Sequence, residues 1–458
     1  MNKKVVILGA GISGLAAAYW LKKDGIDVTV IEKSNEVGGA MMSTWDNQFL
    51  VDYGPNSGLE TTPLIRQIAE ETGIADDMIY ASEEGNKRYI LRDGRLHALP
   101  TGPLAFFSTG LFSAQAKLRL LKEPFIGKSN DGYYQSIAEF VKRRLGQEFL
   151  DYAINPFVAG VYAGNPDDLS VKSAFPKLYR LEEEYGGLIK GMFKGAKERK
   201  KSAEKSKQSA RMFSFRNGMQ TFPKAIAAVL KDQVILGAEV CNIKKAGDAY
   251  EVIYKTNGTE ETLSADVVIS TLPAHGASYL FQGMDPVLFN HLKSIYYPPV
   301  MVLYLGYKEE SIGQPLDGFG YLIPQKENRS YLGAIWSSVI FPNRAPEGFA
   351  AFTLFIGGAR SPQLFDEMNK EDLIRQVLKE FQEVMKITGM PQYRTDRMWS
   401  KAIPQYNIGY IEHEKYFEEF EHANRGIILS GNYRGGISVG DCIKSSEAVY
   451  KRALELLQ

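Results

Sequence analysis

The sequence predicts an α/β fold, a Rossmann-like domain sharing the chain with a discontinuous domain that contains a mixed sheet and a helical insertion. Three observations carry it. A β-branched run at residues 4–8 leads straight into Gly9-Ala10-Gly11-Ile12-Ser13-Gly14, which opens a helix-forming stretch to Lys23. Near the other end, a short apolar strand at 426–429, the turn Ser430-Gly431-Asn432 and an amphipathic helix over 446–457 repeat that strand, glycine, helix order. Between them lie strand-rich stretches at 300–307, 331–336 and 352–356 and a helical pattern at 370–386, which predict a second sheet under a helix.

The opening glycines have separate tasks: Gly9 for the tight turn, Gly11 for close approach of backbone to a pyrophosphate, Gly14 for packing of helix on strand. The helix N-terminus then faces the phosphates. A second strand at 27–31 ends at Glu32, eighteen residues after Gly14, where a carboxylate can accept from a ribose 2′-hydroxyl and disfavours a 2′-phosphate. Gly38 and Gly39 add a second pair of small residues, and Gly54-Pro55-Asn56-Ser57 a third turn. Further strands are expected at 233–243, 250–254 and 266–271, with Asn257-Gly258 as a hairpin turn, forming a small sheet.

Composition narrows the class. The chain has 458 residues, 44% hydrophobic and 24% charged, with 54 basic and 54 acidic side chains and no net charge. No global field attracts nucleic acid. Cys241 and Cys442 lack metal-ligand spacing, and the N-terminus lacks a signal-peptide pattern, so a reducing, cytoplasmic setting is expected, with no metal. The five histidines (His97, His275, His291, His413, His422) form no triad or metal spacing and are expected as ordinary surface or core residues. Residues 96–116 carry no formal charge but hold Pro100, Gly102, Pro103 and Gly110, which exclude a span. Two readings stand there: a buried loop and helix, or an apolar lip that touches a membrane peripherally or admits an apolar substrate. The basic segment 194–211 has eight Lys or Arg and reads either as a solvated face or as a contact for anionic lipid. A homodimer face and a membrane-touching patch are not separated by sequence.

The run from Gly9 to Gly39 resembles the ADP-binding signature of the flavoprotein superfamily of amine oxidases, phytoene desaturases and protoporphyrinogen oxidases. Four further blocks resemble the protoporphyrinogen oxidases: Leu96-His97-Ala98-Leu99-Pro100-Thr101-Gly102; Gly160-Val161-Tyr162-Ala163-Gly164-Asn165 with Asp168-Leu169-Ser170; Ala402-Ile403-Pro404-Gln405-Tyr406; and 431–443, beginning Gly431-Asn432-Tyr433-Arg434. The resemblance implies an FAD-binding domain of glutathione-reductase/amine-oxidase type made of residues 1–90, 211–280 and 401–458, a helical substrate and membrane-associating insertion at 91–210, and a substrate-binding domain at 281–400. It carries FAD contacts to Gly9, Ala10, Gly11, Ile12, Ser13 and Gly14, to Glu32 and Lys33, to Gly38, Gly39, Gly54, Pro55, Asn56 and Ser57, to Val240 at the adenine, to Gly431, and to Ile437, Ser438 and Val439 beside the isoalloxazine. Phe319, Gly320, Leu322, Phe355, Val161 and Tyr162 are expected to line the substrate cleft.

The activity implied is oxidation of protoporphyrinogen IX to protoporphyrin IX in three two-electron steps, with O2 as acceptor giving H2O2. No side chain is then expected as a catalyst, because the cofactor carries the chemistry and the protein positions. An Arg that several relatives place after the Leu-Pro-Thr-Gly turn is replaced by Pro103-Leu104. Propionate anchoring is therefore unassigned, with Arg88, Arg92 and Arg95 as neighbours in sequence. Alternatives are the same oxidation on coproporphyrinogen III, a flavin amine oxidase or carotenoid desaturase, and a non-enzymatic prenyl-binding escort of the same fold. The second and fourth blocks weigh against the amine oxidase, and the intact glycines and Glu32 against the escort.

Overall fold

The computed structural model describes residues 3–83, 85, 87–199 and 210–458. Its first sheet is wholly parallel, in the order Val234–Ile235, Asp27–Ile31, Lys4–Leu8, Val267–Ser270, Ile427–Leu429. Both faces are covered, so the central strands are apolar without a break. Val5 and Ile7 pack toward helix Ile12–Lys23, whereas Val6 and Leu8 pack toward the opposite layer with Val268, Ile427 and Phe281. The helix is buried over most of its surface because helices Thr221–Leu230 and Val439–Leu457 lie against it, and Ala16, Ala17 and Ala18 permit that approach.

A second sheet has seven strands, in the order Tyr393–Trp399, Val300–Lys308, Phe349–Gly357, Tyr331–Ile335, Gly320–Leu322, Arg88–Arg92, Arg95–Ala98. It is mixed: Gly320 to Leu322 run parallel to Arg88 to Ile90, and the other neighbours are antiparallel. Helix Lys370–Met385 covers it. Leu373, Ile374, Val377, Leu378 and Phe381 fall at helical spacing and bury against Leu303, Leu305, Tyr307, Phe352 and Leu354. Each such side chain contributes about 1.5–3 kcal/mol on leaving water. Asn369 caps the helix through Asp372 N–H, and Lys386 closes it at φ 52°.

A buried ion pair, Asp52 with Arg344, 3.5 Å apart, ties strand Phe49–Asp52 to the loop before strand Phe349–Gly357. Asp52 accepts from Ser43 Oγ at 2.5 Å and Met219 N–H at 2.9 Å, and Arg344 donates to Ser214 Oγ at 2.7 Å. Burial raises the pKa of the acid and lowers that of the base, and each partner opposes the shift. In the helical insertion, helix Ile137–Arg144 begins with a Ser136/Glu139 capping box and ends in Arg144, fully buried between Glu123 and Glu182. Glu123 also accepts from Leu188 and Ile189 N–H, so this charge cluster fixes where helix Leu188–Arg199 starts.

Several expected elements are rearranged. Residues 233–243 form two strands, because Gly237 at φ 63° breaks the run: Val234–Ile235 joins the parallel sheet and Ala238–Ala246 opens a three-stranded meander. The run at 266–271 also leaves the small sheet. Its buried residues Val267–Ser270 pair with Lys4–Leu8 instead. The hairpin at Asn257-Gly258 is present, with φ of 50° and 79°. Helix Val439–Leu457 starts earlier than expected, where Ser438 caps it by accepting from Asp441 N–H at 3.2 Å. Strand Arg88–Arg92 and helix Ala274–Phe281 straddle the expected boundaries at 90 and 280. Of the basic segment 194–211, residues 200–209 lie outside the described residues.

Candidate functional site

The turn after the first strand is built from backbone. A Cβ on Gly14 would lie 2.1 Å from the Gly9 carbonyl oxygen and 2.7 Å from Thr271 Oγ1. Thr271 itself donates to Leu8 O at 2.8 Å, bracing the turn from the neighbouring strand. At Gly11 a Cβ would meet nothing within 4 Å. Helix Ile12–Lys23 begins at Gly11 with no side-chain cap, so its first N–H groups point into that space. Gly38 bridges to Gly11, and Gly39 approaches the Gly11 Cα within 3.3 Å of its own Cβ position. Glu32 reaches back to the turn: its Oε2 accepts from Ala10 N–H and its Oε1 from Ser34 N–H, both at 2.8 Å. An uncapped helix start, open space at the one glycine without steric need, and a carboxylate beside both form a donor set that fits a dinucleotide phosphate and ribose.

Gly54, Pro55, Asn56 and Ser57 follow strand Phe49–Asp52 and run half-buried toward the second sheet. Gly54 is required there, since a Cβ would fall 1.8 Å from Ala40 O. Asn56 donates to Thr353 Oγ1 at 3.4 Å, linking this segment to the middle of the seven-stranded sheet, while its buried Oδ1 has no partner. Lys33 is exposed and pairs with Glu239 at 3.3 Å. Val240 is half-buried opposite Tyr254, just before a bulge at Cys241 interrupts the ladder. Gly431 and Val439 are buried, and Ile437 and Ser438 half-buried, at the N-terminus of the last helix.

Of the expected cleft residues, Leu322 and Phe355 meet helix Asn155–Tyr162. Leu322 packs on Gly160 so closely that a Cβ there would sit 2.7 Å from Leu322 Cδ2. Phe355 packs with Ala159, Ala163, Val300 and Leu332. Gly320, at φ 132°, lies where a Cβ would strike Ala334 O. Val161 is exposed and Tyr162 buried, its hydroxyl donating to Ala174 O at 2.9 Å. Tyr162 thus supports the wall from behind rather than facing the cleft.

Phe319 carries the guanidinium of Arg88 at 5.3 Å from its ring centroid. Arg88 is itself exposed at the start of its strand, and partial desolvation there lowers its pKa. Arg92, by contrast, is committed to Glu148 at 2.7 Å and Leu111 O at 2.5 Å, and Arg95 is exposed on the outer strand. Of the three arginines near in sequence, Arg88 alone is placed against an expected cleft residue.

Sequence reasoning left two features without a role. The first is the pair Tyr406 and Tyr410, whose hydroxyls reach the backbone of the 430–438 loop. Both tyrosines are buried, and their spacing of four was the available signal. The second is His291 with His413, far apart in sequence, whose Nδ1 atoms meet at 3.0 Å. Among the described residues no group of three or more His, Cys, Asp or Glu could hold a metal ion. Cys241 is exposed and Cys442 buried, and neither is in a disulfide.

The chain belongs to the flavin-containing amine oxidoreductase family, whose sequence profile it matches over residues 12–449. Within that family it is similar to protoporphyrinogen oxidase 2 of Arabidopsis thaliana, at 34% identity over 97% of this chain and 92% of the relative. It is also similar to coproporphyrinogen III oxidase of Bacillus subtilis, at 30% identity over 100% of this chain and 99% of the relative. A crystal structure from Exiguobacterium sp. 255-15 superposes with a TM-score of 0.82 at 21% identity, covering 100% of both chains, and putrescine oxidase with 0.73 at 15%, covering 99% of both. These two likenesses establish the fold. The protein is an FAD-dependent oxidoreductase.

Proposed function

We propose that this protein oxidises protoporphyrinogen IX to protoporphyrin IX, as a step of heme biosynthesis. The observation that carries the reading is that the apolar side chains Leu322 and Phe355 pack beside helix Asn155–Tyr162 while a cation, Arg88, stands over Phe319. A flat macrocycle with carboxylate arms needs those two elements. Bound FAD would supply the two-electron oxidant for each of three oxidations of the macrocycle, with O2 as terminal acceptor giving H2O2. The backbone at Gly9 to Gly14, Glu32, and the segments 54–57 and 431–439 hold it; Lys33, Gly38, Gly39 and Val240 flank the adenosine end.

The chain's residues orient and desolvate. Phe355 and Leu322 press on the ring faces and exclude water. Arg88 takes a propionate and sets which meso carbon is presented. No His or Cys lies in the wall, consistent with pyrrole protons leaving to solvent rather than to a dedicated base. The relatives' names support porphyrinogen as the substrate class. Coproporphyrinogen III is the second reading, favoured by the end-to-end match to the Bacillus subtilis enzyme.

Anaerobic mixing with each porphyrinogen, followed by air, tests both readings. Bleaching of the flavin band by protoporphyrinogen IX, with recovery and porphyrin fluorescence in air, is expected. Faster bleaching by coproporphyrinogen III would reassign the substrate, and bleaching without recovery in air would reassign the acceptor.

Leu104, Phe107, Leu118, Leu121 and Phe125 all stand more than half exposed on the helical insertion, while Leu111 and Phe112 beside them are buried. This supports the apolar lip as a peripheral membrane contact. No helix among the described residues is long and apolar enough to cross a membrane. Cosedimentation with anionic vesicles is the expected outcome; concentration-dependent dimerisation without vesicle binding would assign the patch to a second copy.

A further inference from the structure

We infer that Tyr406 is a positioning residue for the flavin, its phenol hydroxyl clamping both limbs of the 430–438 loop and holding that loop in register with the cleft wall. The inference rests on the reading that Ile437, Ser438 and Val439 lie beside the isoalloxazine.

Within the loop, Arg434 closes the incoming limb, its N–H on Gly431 O at 3.0 Å and its Nη1 on Leu429 O at 3.0 Å, and the glycines leave the outgoing limb soft. Gly431, Gly435 and Gly436 take φ of 123°, 85° and 119°, a region that glycine enters freely and leaves as freely. A Cβ at Gly435 would meet Ser445 Oγ at 2.5 Å, and one at Gly436 would meet the Asp441 side chain at 2.8 Å, so the close packing on the last helix excludes any stiffer residue. Rigidity of the outgoing limb has to come from outside. The Tyr406 hydroxyl donates to Asn432 O at 2.8 Å on the incoming limb and accepts from Gly436 N–H at 3.1 Å on the outgoing limb. A single oxygen thus fixes the width of the loop one residue before Ile437.

Tyr406 is in turn tied to the substrate side. Its backbone oxygen accepts from Ser170 N–H at 2.9 Å, its neighbour Gln405 donates through Nε2 to Tyr162 O at 2.9 Å, and its ring meets Tyr162 edge-on at 6.2 Å. Tyr162 ends the helix whose Gly160 and Val161 face Leu322 and the cleft mouth. The loop beside the flavin and the helix of the cleft wall are therefore both referenced to one side chain. Tyr410, four residues on, adds a bond from its hydroxyl to Tyr433 O at 2.5 Å, but only to the incoming limb.

Tyr406→Phe keeps the ring and removes the clamp. Expected are an FAD dissociation constant raised about tenfold, from loss of a paired buried hydroxyl, a visible flavin band that loses its fine structure, and a shifted flavin reduction potential. Tyr410→Phe is expected to weaken FAD without moving the potential. Tyr406→Phe with wild-type band and potential overturns the inference, even if affinity falls, because loss of a bond that only steadies the fold would do that much. Should the Phe variant not fold, Tyr406→3-fluorotyrosine, nearly isosteric but a stronger donor, must still shift the band, and an unmoved band overturns the inference. Ile437→Ala separates the two layers of the argument. It perturbs the band if the loop lies at the isoalloxazine, so silence at Tyr406 alone rejects the clamp, whereas silence at both rejects the placement.

Discussion

The proposed dinucleotide cradle and the proposed substrate cleft are built from opposite materials. The cradle is backbone: Gly9, Gly11, Gly14, Gly38, Gly39 and Gly54 matter for the side chains they lack, and at Gly14, Gly38 and Gly54 the tolerance is fixed by carbonyl oxygens that cannot move aside. The proposed cleft is side chain: Leu322, Phe355 and Phe319 offer shape and apolarity, and Arg88 offers charge. A backbone site fails abruptly when altered, whereas a side-chain site degrades by degrees.

The sharpest break of that contrast is within the cradle itself. Gly14→Ala places a methyl 2.1 Å from Gly9 O, with an overpacking cost of about 3 kcal/mol. Purified protein without flavin and with a lowered melting temperature is expected. Gly11→Ala has open space at the same distance scale, so the apoprotein should melt as wild type while FAD affinity falls. If both variants behave alike in the melt, the separation of a packing glycine from a ligand-facing glycine is wrong.

The cleft should respond more gently. Phe355→Ala removes an aromatic wall, and a drop in kcat/KM of about 10- to 100-fold is expected for a lost contact of 1–3 kcal/mol, with FAD content unchanged. Unaltered steady-state constants would remove Phe355 from the cleft. Arg88→Met is expected to raise KM about tenfold with kcat nearly kept, the signature of a lost charge-assisted contact made equally in ground and transition states. A fall in kcat with KM unmoved would instead mean that Arg88 acts only when the meso C–H bond breaks.

The same contrast explains what could be read without coordinates. Gly9 to Gly14 and Glu32 were legible because each steric need is local and the spacing is short, and the parallel strand and helix appear where expected. The assignment of the run at 266–271 to the small sheet failed because a strand buried on both faces shows no alternation that would name its partners; its parallel pairing with Lys4–Leu8 spans the whole interval between them. The cleft residues came from resemblance alone, since nothing in Leu322 or Phe355 distinguishes a wall from a core. Arg88 stayed one of three arginines until the register Gly320 to Arg88 set it beside Phe319. Tyr406 and Tyr410 bond to backbone oxygens and a backbone N–H of a distant loop, and such partners have no sequence signature.

The smallest expected effect lies behind the loop, on helix Ile411–Ala423. His413 meets His291 Nδ1 to Nδ1 at 3.0 Å and packs edge-on to Tyr410, with Glu412 as the nearby acid. Burial, and then the neighbouring His291, push its pKa down from 6.5 to about 4, while Glu412 opposes the shift. His291 is lowered as well, chiefly by burial. A depressed histidine pKa means that the unfolded chain binds a proton between pH 6.5 and 4 that the folded chain does not. Stability contributed by the neutral pair is therefore full above pH 6.5 and is lost progressively as pH falls toward 4. His413→Gln removes that titration and should flatten the decline of melting temperature across this window. Because Tyr410 sits one turn from His413, flavin release on acidification should shift with it. An identical pH slope in the variant would place the acid sensitivity elsewhere, with His275, whose pKa burial likewise lowers to about 4, as the next group to examine.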